Sequence, residues 1–212
     1  MVGQILSNAT DVVNFASKLI KGERLPSLKK DVETCVQNAC SFPAILYCFS
    51  TIDMLGALYK GDMKPGNTTK NSAEYMVKFM KNNGVNYAEK QVRLLQKIYR
   101  HKIVHIAQPR PLIEIDGNKI TWRYDDEDIT KHLTVETASN PQPITAFLTP
   151  YSMYFNQVFV ISILKLAQDV EDSVIRPNDG YWDMLSNNLL IDGKGLQDNF
   201  RSAISDMYDI RP

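Results

Sequence analysis

Through the first half of the chain apolar residues recur with the period of a helix, and near the middle they switch to alternation. Ile5, Val12, Val13, Phe15, Leu19 and Ile20 predict an amphipathic helix over 4–21. A second helix is predicted from Ser27, as N-cap, to about Asn38. Pro43 then either opens a new helix or kinks a long one. From Ala44 to Tyr59 the pattern is apolar on nearly all sides and predicts a buried helix stopped by Gly61. The Gly-, Pro- and Asn-rich run KGDMKPGNTT reads as a loop. A short helix over 72–82 and a strong one from Tyr87 to Ala107 follow, the latter stopped by Pro109 and Pro111.

Between 108 and 148 the period becomes two. Ile113 and Ile115 precede Asp116-Gly117-Asn118, and Ile120, Trp122 and Tyr124 follow, which predicts a hairpin. His132–Thr137 offers a third strand. Asp125-Asp126-Glu127-Asp128 reads as a solvated acidic loop, with a metal site as the lesser alternative. Thr149 is expected to cap a long apolar helix from Pro150 to Val174, and two short helical pieces close the chain. The expected fold is mainly α, a single domain over 1–212 with a β-hairpin or three-strand insertion at about 108–148.

Composition narrows the function. The 212 residues are 44% hydrophobic and 23% charged, which suits a globular chain with a real core. Twenty-four basic residues balance 24 acidic ones, so a generally basic nucleic-acid coat is excluded. The balance is uneven locally: residues 86–110 carry a net +5 and residues 169–212 a net −5. A local phosphate site on the 87–107 helix therefore stays open, as does docking of the acidic C-terminal region on that basic stripe. Cys35, Cys40 and Cys48 read as small buried hydrophobes in a reducing compartment. The first residues lack the pattern of a secretory signal. Ser41–Tyr59 has the length of a membrane span, but Pro43, Ser50, Thr51 and Asp53 interrupt it. No membrane and a cytoplasmic location are expected.

The segment 88–107 carries the candidate chemistry. At about 100° per residue, Ala88, Val92, Leu95, Tyr99, Ile103 and Ile106 fall on one face, the expected core side. Lys90, Arg93, Lys97 and Arg100 form a basic stripe opposite, and Leu94, Ile98, His101 and His105 run along the border. Lys102 projects towards the core face. A partly desolvated His beside cations is a base or acid near neutral pH, and an Arg fork suits phosphate oxygens. Together they match the needs of metal-free RNA cleavage.

Arg100-His101-Lys102-Ile103-Val104-His105 resembles the R-polar-x-x-x-H motif of the HEPN superfamily, the higher-eukaryote and prokaryote nucleotide-binding helical domains. TIDMLGALYKG (51–61) looks like that superfamily's matching earlier helix. The resemblance implies an up-and-down helical bundle and a homodimer whose two motifs share a cleft. It also implies a metal-independent endoribonuclease of toxin or defence type with no cofactor. Carried over, it nominates Arg100 and His105 as the catalytic pair and His101 as the polar third member. Asp53, Arg93, Lys97 and Lys102 would support them. The alternative function is a non-catalytic dimer that binds RNA, a nucleotide or a protein.

Plainer readings compete for the same residues. The two histidines suit a helix C-terminus, where cationic His is favoured. They also have H-x-x-x-H metal spacing, with Asp53, Glu89 or His132 as third-ligand candidates that no signature selects. Asp53 either orients Arg100 or His105, or forms a structural pair with Lys102 or Tyr99. The stripe Lys90, Arg93 and Lys97 is ordinarily a solvated helix face. Trp122 and Tyr124 suit the packed face of the hairpin better than base stacking.

Overall fold

The computed structural model describes residues 9–60, 65–80, 87–100, 109–144, 154–175, 180–183 and 185. Among the described residues the protein is mostly helical, with one small four-stranded mixed sheet.

The first two predicted helices are continuous. Helix α1 (Ala9–Leu19) passes through a wide π-helical turn (Ile20–Arg24) into α2 (Leu25–Gln37). Ser27 therefore lies inside α2 instead of capping it. Pro26, which lacks an N–H, follows directly on the widened turn, whose closing bond runs from the Leu25 N–H to the Ile20 carbonyl. Helix α3 (Ser41–Lys60) starts after a sharp corner, and Pro43 sits in its first turn. Eleven of its residues are buried, among them Ile45, Phe49, Ile52 and Leu55. This helix is long and apolar enough to cross a membrane.

Helix α4 (Thr68–Phe79) starts and stops earlier than the 72–82 pattern implies. It crosses α3 at close range at Gly56, where a Cβ would stand 2.8 Å from the carbonyl carbon and oxygen of Asn71. Helix α5 (Glu89–Leu95) follows and widens into a π-helical turn at Gln96–Arg100.

Strands β1 (Ile113–Ile115) and β2 (Asn118–Tyr124) pair antiparallel across Asp116 and Gly117. Both turn residues have positive φ, 53° and 74°, the geometry that Asp-Gly favours in two-residue connections. Strand β3 is Val135–Pro143, longer and later than the His132–Thr137 expectation. Strand β4, Tyr154–Ile161, corrects a larger expectation, because this stretch falls in the predicted 150–174 helix. It lies inside the sheet, in the order β1-β2-β4-β3, parallel to β2 and antiparallel to β3. An apolar run short enough for a strand cannot be told from a buried helix by periodicity, and here the open edges of β2 and β3 decide. The sheet therefore extends beyond the 108–148 limits.

The helix that follows is only α6 (Ile163–Ile175), and its cap is Ser162. Ser162 Oγ accepts from the Lys165 N–H at 3.0 Å, while Asp126 Oδ1 accepts from the Leu164 N–H at 2.9 Å. Thr149 lies outside the described residues. The acidic run 125–128 is thus built in as caps and pairs. Asp125 Oδ1 accepts the Asp128 N–H at 3.0 Å, and Arg123 bridges Asp125 and Glu136. Tyr99 joins the two halves of the core: Phe49 of α3 lies on one side at 6.4 Å, and Trp122 and Tyr124 of β2 on the other at 5.5 and 6.0 Å.

Candidate functional site

Helix α5 and its π-helical turn are buried over a wider arc than one stripe. Val92, Leu95 and Tyr99 are core residues, as their spacing implies. Leu94 and Ile98, placed on the border by spacing, are fully buried as well, and Ala88, placed on the core face, is exposed. The cause is packing on two sides, because the helices α3 and α4 cover one flank and the sheet the other. Lys90 and Arg93 remain exposed, and Lys97 is half-buried.

Arg100 leaves the basic stripe. A π-helical turn fits an extra residue into each hydrogen-bonded loop, so side chains after it fall behind the α-helical line. The Arg100 side chain is only 13% exposed and is turned towards α3 and α4. Its Nε donates to both carboxylate oxygens of Asp53, at 2.9 and 3.1 Å. Its Nη1 donates to Thr69 Oγ1. Ser72 Oγ donates to Asp53 Oδ1, and Gln96 Nε2 donates to the Thr69 carbonyl at 2.7 Å. The partner of Asp53 is therefore Arg100, and among the described residues the Tyr99 hydroxyl has no partner. Sequence reasoning missed Thr69, Ser72 and Gln96. No periodicity marks them, since only the packing of α4 against α3 and α5 brings them to the arginine.

A groove of about 430 Å³ opens beside this cluster, lined by Tyr59, Glu74, Lys78, Glu89, Arg93 and Gln96 among others. Lys60 and Lys78 lie over the Tyr59 ring at 5.1 and 5.4 Å, and Lys60 pairs with Glu74. Of the nominated residues, the described structure brings Arg100 to Asp53 and places Arg93 on the groove wall. Lys97 joins neither. His101, Lys102 and His105 lie outside the described residues, as do 186–212 of the acidic C-terminal region.

A second polar cluster lies at the end of the sheet. His132 is completely buried. Its Nδ1 accepts the Ser162 N–H at 3.1 Å, which puts the ring proton on Nε2. Nε2 then donates to the Tyr87 hydroxyl at 3.1 Å, and that hydroxyl donates to Asp169 Oδ2 at 2.8 Å. Lys165 closes the chain on Asp169 Oδ1 at 2.8 Å. Burial, and then the Lys165 charge, pull the His132 pKa down to about 3, so the ring is neutral. Burial pushes the Asp169 carboxyl up, against the opposing pull of Lys165 and Tyr87. Lys165 also lines a cavity of about 360 Å³ with Lys29, Glu33 and Glu171. Among the described residues, no three of His, Cys, Asp and Glu converge as a metal set.

No family model, curated protein or solved structure matches this chain.

Proposed function

We propose that this protein is a metal-independent endoribonuclease of the HEPN type. In this reading it is an up-and-down bundle acting in the cytoplasm as a homodimer, with Arg100 and His105 as its working pair. The observation that carries the reading is the setting of Arg100. A guanidinium held at Nε by a carboxylate and at Nη1 by a hydroxyl is fixed in direction, and Nη2 has no partner among the described residues. A fixed donor edge is what stabilising charge on phosphorus requires, because no reorganisation is needed as that charge develops.

In the proposed reaction His105 removes the 2′-hydroxyl proton, and the oxygen attacks the adjacent phosphorus in line. The 5′-oxygen leaves with a proton that His101 supplies, giving a cyclic phosphate and a free 5′-hydroxyl. Arg93, Lys97 and Lys102 steer the strand electrostatically. The test is RNA cleavage in EDTA by wild type, Arg100→Ala and His105→Ala. Loss in both folded variants supports the reading, and cleavage that survives either one sinks it.

A second reading rests on Asp53. Its carboxylate offsets the charge of Arg100, and both side chains are mostly covered, at 20% and 13% exposure. That favours a non-catalytic domain that holds RNA, a nucleotide or a protein in the groove by Arg93. An inert wild type whose Arg93→Ala form loses affinity selects this second reading.

A further inference from the structure

The corner between α2 and α3 joins two cysteines, Cys35 and Cys40, by a backbone hydrogen bond. The Ala39 N–H bonds the Val36 carbonyl at 3.1 Å, and the Cys40 N–H bonds the Cys35 carbonyl at 2.7 Å. Ala39 itself is left-handed, with φ 57°. These three features define a Schellman end with Asn38 as C-cap, Cys35 three residues before it and Cys40 two after. In that motif the residues at these two places lie side by side and commonly touch. With standard bond lengths, the 2.7 Å bond keeps their α-carbons within about 6.6 Å, inside the ~7 Å limit for a disulfide. Cys40 is exposed and Cys35 half-buried, while Cys48 is sealed in the core. Only two of the three cysteines, which spacing alone reads as buried hydrophobes, are therefore open to chemistry. The Cys40 Sγ is directed back over the helix end, 3.4 Å from the Asn38 carbonyl.

We propose that Cys35 and Cys40 form a dithiol modification site, closed to a disulfide by a low-molecular-weight disulfide such as oxidised glutathione. The Cys40 thiolate attacks one sulfur of the oxidant, giving a mixed disulfide and one released thiol. The Cys35 thiolate then attacks Cys40 Sγ and expels the second thiol. Two protein thiols lose two electrons and two protons, and one oxidant disulfide becomes two thiols. The bond would fasten the last turn of α2 to the residue before α3, the helix that carries Asp53.

The test is incubation of the intact protein with oxidised glutathione, followed by peptide mass mapping of wild type, Cys35→Ser and Cys40→Ser. The expected result is an internal Cys35–Cys40 bond in wild type, and a stable glutathione adduct on Cys40 of Cys35→Ser. A wild type that keeps a glutathione adduct on Cys40 beside a free Cys35 overturns the proposal. So does a wild type that links only between chains. Cys48→Ser is the control and must leave the internal bond unchanged.

Discussion

A single nitrogen of Arg100, its Nε, donates to both carboxylate oxygens of Asp53, joining residues 47 apart in the chain. This pair answers a question set by the sequence, since a carboxylate in the middle of an apolar helix must have a partner. The pair is mostly covered, so removing one member leaves the other poorly solvated. Asp53→Ala and Arg100→Ala are each expected to lower stability by about 2 kcal/mol. In a double-mutant cycle followed by urea unfolding, their effects should fall short of additive by about 1 kcal/mol. Additive losses would show that the contact is energetically idle.

Gly56 is fixed by backbone contact and not by flexibility. Gly56→Ala pushes a methyl against the Asn71 carbonyl at 2.8 Å and the Ser72 Cα at 2.9 Å, neither of which can rotate away. Separation of α3 from α4 should cost about 2–3 kcal/mol. It should also disturb Ser72 and Thr69, the hydroxyls that bond Asp53 and Arg100. Thermal unfolding measures the first effect, and a neutral substitution would refute the close crossing.

Acid should weaken the fold through His132. Its folded pKa of about 3 lies below the unfolded value of 6.5, so the unfolded chain binds the extra proton. Stability then falls as pH drops from about 6.5 towards 3, by up to about 1.4 kcal/mol per unit. Asp169 acts in the opposite sense, since its raised pKa lets the folded state take up a proton first and softens the low end. Urea unfolding of His132→Gln across this range should show a flatter slope than wild type. An unchanged slope would mean that other groups set the acid limit.

Tyr87→Phe removes the link between His132 and Asp169 and leaves both polar groups buried without it. The expected loss is about 1–3 kcal/mol, read from the urea midpoint. By contrast, Ala39→Gly should raise stability by about 0.5 kcal/mol, because glycine takes the left-handed conformation without strain.

Much of the local structure was legible in order. Helical period marks α1 to α5, and Asp116-Gly117 with its alternating flanks marks the first strand pair. Strand β4 was not legible, because Val158 to Ile161 is continuously apolar and suits either state. The turn of Arg100 away from the stripe was also hidden, since a π-helical turn leaves no trace in a pattern read at one fixed angle.

What the sequence by itself determined is local: which segments coil, where chains turn, and that Asp53 and the segment 87–107 carry unusual polar groups. Tertiary structure alone decided the partners. Asp53 meets Arg100 across 47 residues, and Tyr87 meets His132 across 45 and Asp169 across 82. The physical reason is that periodicity reports which face of a segment is apolar, whereas a buried polar group is satisfied by whichever element packing brings against it.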